Sequence, residues 1–182
     1  MAGISAPLLN LIAKIKTLQY ANQSGQTVGL YSAIWNNQFD SMTDQNGNKQ
    51  YNIPLPCALV EIVTPQPYGD IGRGITATDI TFRVHIGMEE IDAMDGTQEQ
   101  NITVYDLRDK VVAWLTDFEP TACSMLQRSS ETQDYSHTNF YHYIIEFNTT
   151  FVDDKGYQDK TQIEIQPPID LEIDVTLAPA IR

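Results

Sequence analysis

Proton transfer near neutral pH falls first to histidine, and this chain has three: His85, His137 and His142. Nucleophilic catalysis would also need a Ser, Cys or Thr beside the base and a third group to orient it. No G-x-S-x-G elbow or comparable turn accompanies any of the three. His142 stands four residues before Glu146 on the polar side of an alternating run, which reads as a structural or interface position. His85 shares the polar side of another run with Asp79 and Arg83, the set a small-molecule binding module would use, although no convergent motif marks a pocket.

The metal and phosphate readings lose their chemistry in the same way. Cys57 and Cys123 are far apart and belong to no C-x-x-C pattern, so they read as free thiols. The acidic stretch Glu89, Glu90, Asp92, Asp95 offers hard oxygen ligands but lacks the ordered spacing of a calcium loop, so it reads as an exposed charged loop. Residues 65–74 (PQPYGDIGRG) contain three glycines, yet no Lys-Ser/Thr follows and the segment runs into a strand. A phosphate cradle wants a helix N-terminus there, so the segment reads as a mobile loop. The expectation is a protein without an active site, metal or cofactor: not an enzyme.

The elements that would position these residues follow from periodicity. Leu8, Leu11, Ile12, Ile15 and Leu18 fall at helical spacing, with Ser5 as N-cap and Pro7 in the first turn. Residues 27–35 (TVGLYSAIW) read as one strand, followed by a polar loop, and residues 57–64 (CALVEIVT) as a buried strand fenced by prolines. Residues 75–87 alternate strictly, with Ile80, Phe82, Val84 and Ile86 on one face and Asp79, Thr81, Arg83 and His85 on a wetted one. Thr97 and Gln100 fit a capping box that opens a second helix, whose stripe is Val104, Leu107, Val111, Trp114, Leu115 and Phe118. Residues 121–135 and 138–152 then read as an antiparallel hairpin. The fold class is α+β: a mostly antiparallel sheet with two helices packed on one face, plus an extended C-terminal arm. The core domain takes residues 1–152 and the arm 153–182.

The arm alternates with unusual regularity. Ile163, Ile165, Ile169, Leu171, Ile173, Val175 and Leu177 take every second position within two runs broken by Pro167-Pro168, and acidic residues fill most of the gaps. Such a ribbon has one sticky face, suited to a sheet edge or groove on its own subunit or a neighbour. The charge is as uneven as the hydrophobicity. Of 182 residues, 11 are Lys or Arg and 24 are Asp or Glu, a net charge of −13. Residues 61–152 carry 5 basic against 15 acidic side chains, and 153–182 carry 3 against 7. A surface of that sign repels phosphate, which excludes a sequence-reading nucleic-acid binder. The opening residues lack a basic n-region before their apolar stretch, so neither a secretory signal nor a membrane span is expected, and the chain should fold in cytoplasm.

In this order of elements the chain resembles the tail terminator family of tailed bacteriophages, with its related tail-completion and neck ring proteins. The likeness rests on the first helix and strand (Leu8 to Trp35), the strand ending V-H-I-G (Val84 to Gly87), the helix V-Y-D-L-R-D-K-V-V-A-W-L (Val104 to Leu115) and the strand Y-H-Y-I-I-E-F-N-T-T-F (Tyr141 to Phe151). It spans about residues 5–152; the arm lies beyond the usual core. The resemblance implies a structural virion protein at the head-tail junction, forming a homo-oligomeric ring, commonly a hexamer. Such a ring caps the tail tube and meets head-connector or portal-side proteins while DNA passes without specific binding. A twelve-copy head-completion ring is the neighbouring alternative. On this reading Glu89, Glu90, Asp92 and Asp95 lie on or near the channel, and the arm docks subunits or partners. Assembly would take place in host cytoplasm.

Overall fold

The computed structural model describes residues 3–21, 26–41, 53–63, 67–89, 99–136 and 140–155. Helix α1 (Ser5–Lys16) buries Leu11, Ile12 and Ile15, as the apolar stripe requires, and Lys14 and Lys16 sit in its last turn where the helix dipole favours cations. Ser5 is not the N-cap. That position falls to Ile4, no side chain caps the helix, and Ala6 N–H donates to Gly3 O in a backbone turn.

Strands β1 (Gln19–Ala21) and β2 (Thr27–Gly29) form a two-stranded antiparallel ribbon. The strand expected over 27–35 is therefore divided: β3 (Tyr31–Ile34) leaves the ribbon and joins the main sheet. The bend falls at Leu30, whose side chain is buried in the core and whose N–H donates to Leu18 O at 2.9 Å. A continuous strand could not satisfy both.

The main sheet adds β4 (Cys57–Val63), β5 (Gly69–Gly72), β6 (Ile75–Glu89), β7 (Gln127–Asp134) and β8 (Phe140–Asp153). Its order is β3-β4-β6-β8-β7, with β5 pairing the start of β6. Among the described residues only β3 and β4 run parallel; the other pairings are antiparallel. The β6–β8 ladder forms the spine, running from Thr76 opposite Asp153 to Glu89 opposite Phe140.

Two loops differ from expectation. Residues 69–77 form a tight hairpin where a mobile loop was read, because Arg73 (φ 57°) and Gly74 (φ 80°) make a two-residue left-handed turn after Gly72 (φ 102°). Such turns match the twist of the flanking strands, so these glycines serve geometry. Residues 121–126 are largely irregular, with a single bridge from Cys123 to Phe151, before β7 begins. The hairpin of β7 with β8 matches the alternation.

Helix α2 (Glu99–Leu115) packs beside α1 on the same sheet face. One cluster joins Leu11, Ile12 and Ile15 of α1 with Leu107, Val111 and Leu115 of α2, Val60 of β4, Phe82 and Val84 of β6, and Ile145 and Phe147 of β8. Burying each such side chain stabilises by roughly 1.5–3 kcal/mol, and this layer is the main core. Trp114 departs from the expected stripe. About 100° around the helix from Leu115, it lies 39% exposed across the end of α1, donating from Nε1 to Lys14 O (3.1 Å) beneath the Lys14 ammonium. Thr97 lies outside the described residues. Among the described residues no helix is long and apolar enough to cross a membrane.

Candidate functional site

Strand register converts alternation into neighbours. On the face away from the helices, Glu61 of β4 stands opposite Arg83 of β6, and Arg83 opposite Glu146 of β8. One step along, Leu59 faces His85 and Gly87 faces His142, while β7 sets Asp134 opposite His142 and Ser130 opposite Glu146. Residues far apart in sequence thus converge on one patch.

The patch is roofed by the chain leaving β3. Trp35 N–H donates to Val60 O (2.8 Å), then Asn37 takes a left-handed conformation (φ 53°) and the Gln38 amide donates to Ile34 O (2.7 Å). Asn tolerates that conformation better than most side chains. The segment folds back, and a short 3-10 turn (Gln38–Ser41) inserts Phe39 against the sheet. Gly87 makes the fit: a Cβ there would stand 2.6 Å from Phe39 Cζ and 3.1 Å from Cys57 Sγ. The Trp35 ring stacks on His85 at 4.1 Å with 7° between planes, and Phe39 meets His142 edge-on at 4.8 Å. The face read as wetted is therefore dry at this end, and His85 (3% exposed) and His142 (2% exposed) are core residues. The alternation correctly separated the two faces but carried no sign of the roof.

Two polar chains meet at Glu61. In the first, Glu61 Oε1 lies 3.2 Å from His85 Nε2, His85 Nδ1 lies 2.9 Å from His142 Nε2, and His142 Nδ1 lies 3.1 Å from Asp134 Oδ2. In the second, Arg83 donates from Nη1 to Glu61 Oε1 (3.0 Å) and from Nη2 to Glu146 Oε1 (2.7 Å), and Ser130 donates to Glu146 Oε2 (2.6 Å). The hydrogen bonds from Ser130 and then Arg83 hold the Glu146 carboxyl below its ordinary range, and the bond to Glu146 raises the Arg83 guanidinium. Burial lowers His85, with the Glu61 hydrogen bond pulling the other way. Burial also pushes the Cys57 thiol up to about 12.

This arrangement can hold and share a proton. The adjacent thiol, Cys57, is fully buried and stays protonated, so it is not poised as a nucleophile. Among the described residues no three His, Cys, Asp or Glu side chains are grouped to hold a metal ion.

The expected binding trio is split. Arg83 and His85 belong to the networks above, while Asp79 accepts from Thr150 Oγ1 (2.7 Å) at the uncovered end of the same face. There a depression of about 430 Å³ is lined by Asp79, Thr81, Ser124, Gln127, Asn148 and Thr150, with Met125 at its side. Of the acidic set, Glu89 is the last residue of β6, opposite Phe140, so the strand extends into what was read as loop. Glu90, Asp92 and Asp95 lie outside the described residues, as do His137 and all seven arm positions, Ile163, Ile165, Ile169, Leu171, Ile173, Val175 and Leu177. Glu61, Asp134 and Trp35 were not singled out for the site, since only the register and the fold-back bring them to the histidines.

No family model matches the chain, and no curated protein matches its sequence.

Proposed function

We propose that the chain is a structural ring protein of the tail-terminator type, acting at the head-tail junction of a tailed bacteriophage. What supports the reading is the agreement between the element order expected from the resemblance and the α+β fold, with both helices on one face of a mostly antiparallel sheet. Chemistry agrees with an assembly role. His85 and His142 are buried beneath Trp35 and Phe39, out of reach of a substrate, and the short edge strand β3 presents Tyr31 and Ile34 outward. The charge of −13 supplies the relation to DNA, repelling phosphates so that a genome passes without adhering.

Native mass spectrometry of the purified full chain tests this directly. Six copies are expected; twelve would move the protein to a head-completion ring, and a strict monomer would overturn the ring. Removing residues 157–182 should leave a folded core that no longer assembles, by circular dichroism and native mass, whereas loss of folding would make the arm an intramolecular strand pair. Reversing Glu89, Glu90, Asp92 and Asp95 to Lys should make assembled rings retain DNA at low salt, and unchanged retention would remove those residues from the channel.

The depression of about 430 Å³ favours a small-molecule binding module. Its polar lining suits a hydrophilic ligand, and a monomer with a ligand seated against Asp79 and Asn148 would favour that reading over the ring.

A further inference from the structure

The turn that closes β5 onto β6 carries an arginine where the backbone favours a smaller residue. Arg73 takes a left-handed conformation (φ 57°) in the two-residue turn with Gly74, a position that Asn or Gly fills with less strain. Such an outlier points to a use for the side chain. Arg83, Arg108 and Arg128 all stand in ion pairs with carboxylates, whereas Arg73 is exposed and makes none among the described residues. The acid on the hairpin, Asp70, is turned to the Gly72 N–H (2.7 Å). Beside the turn Tyr68 (46% exposed) and Ile71 (61% exposed) present apolar surface to solvent. Arg and Tyr grouped with an exposed aliphatic side chain have the composition of an interface hot spot.

The complementary feature is the depression at the uncovered end of the sheet. Asp79 Oδ1 accepts from Thr150 Oγ1 (2.7 Å), and no described residue donates to Oδ2 or sets a cation beside it. Gln127 and Asn148 bring amide oxygens to the same lining, which suits the fork of N–H donors on a guanidinium. Met125 gives the side wall an exposed, adaptable apolar surface. The Arg73 of the same chain does not serve this carboxylate, because the extended strand from Ile75 to Asp79 holds the turn about 13 Å away along β6.

We propose that Arg73 of one copy seats its guanidinium on Asp79 in the depression of a second copy, with Ile71 against Met125, so that the β5–β6 turn and the depression form a head-to-tail contact between subunits. A second copy is the occupant that the charges favour. Both halves, an arginine and a carboxylate unneutralised by the described residues, stand on one chain whose net charge of −13 otherwise makes two copies repel. Apolar burial supplies affinity, and the charge pair fixes which faces meet. A knob and a socket at different places on one chain join copies head to tail, and such contacts close into rings, so this contact rests on the ring reading and gives it an interface.

Arg73→Asn separates the two roles of the residue. Asn suits the left-handed turn, so the core should be at least as stable as the wild type in urea denaturation. The concentration at which full-length chains dissociate, read by native mass spectrometry, should nevertheless rise about tenfold. Charge reversal tests the pairing itself. Arg73→Asp and Asp79→Lys should each loosen assembly by more than about tenfold, since like charges then meet. An equimolar mixture of the two should assemble again with both masses in equal number, because the knob of each variant matches the socket of the other. Circular dichroism verifies the folds, and should Asp79→Lys fail to fold, Arg73→Asn carries the test alone. A wild-type ring whose assembly is unchanged by Arg73→Asn, or a folded mixture that stays apart, would overturn this contact and leave the ring standing. A monomeric wild type would overturn the ring and the contact together.

Discussion

The two faces of one sheet are built by different physics. The face under the helices is a mainly apolar layer in which Phe82, Val84, Val60 and Phe147 meet α1 and α2, with the buried Ser32 Oγ left without a hydrogen-bond partner among the described residues at its β3 edge. The opposite face is divided: aromatic rings over a histidine pair at one end, an Arg83-centred ion network in the middle, and an open polar depression at the other. The helix-covered layer tolerates any good apolar packing, since dispersion and burial have no direction. The other face works only in one register, because each of its hydrogen bonds depends on particular neighbours.

Substitutions on the two faces should separate these modes. The largest loss is expected for Phe82→Ala, which empties the fully buried centre of the helix-covered layer and should cost about 3–5 kcal/mol in urea denaturation. A loss below 1 kcal/mol would mean that the helices do not form the main core. Gly87→Ala comes next, at about 1–3 kcal/mol, because the new methyl collides with Phe39 and Cys57. Adding Phe39→Leu should recover part of that loss if the collision is the cause, and additivity in the double variant would exclude it.

Arg83→Met should cost less, on the order of 1 kcal/mol at neutral pH, since the ion network is partly solvated. Here pH offers a further check. Glu146 is held below its ordinary range, so its share of stability is present above about pH 4.3 and is lost as pH falls through its folded value. The gap between wild type and Arg83→Met should narrow at pH 3 in chemical denaturation, whereas a constant gap would make the role of Arg83 packing alone. The smallest effect is kinetic. With Cys57 pushed up to about 12 and Cys123 up to about 11, neither thiol should react at pH 8 at the rate of a free cysteine, and Cys57 should be the slower in a labelling time course. Equal rates would mean that the roofed face is open at neutral pH.

Legibility from sequence followed the same division. The helix-covered face was readable because its signal is periodic: apolar residues at every second strand position and at 3.6-residue helical spacing identify a buried surface whatever it packs against. The Leu11–Ile15 and Leu107–Val111–Leu115 stripes and the Ile80–Phe82–Val84–Ile86 run all entered one core as read. On the opposite face the same alternation marked His85 and His142 as polar positions, and a polar position reads as wet. Only Gly87, a glycine inside a strand, hinted at close approach from above.

By itself, then, the sequence determined the α+β class, the helix stripes, the two faces of β6 and β8, the hairpin at the end of the core and the strongly acidic balance. These are local or summed properties, carried by residues a few positions apart or by simple counting. The tertiary structure alone decided that the 27–35 run divides at Leu30, that the glycine-rich loop is a tight hairpin, and that Trp35 and Phe39 roof a histidine pair held between Glu61 and Asp134. Each of these depends on strand register and on a chain reversal, which bring together residues up to about a hundred positions apart. No period within one strand encodes which residue of another will stand opposite.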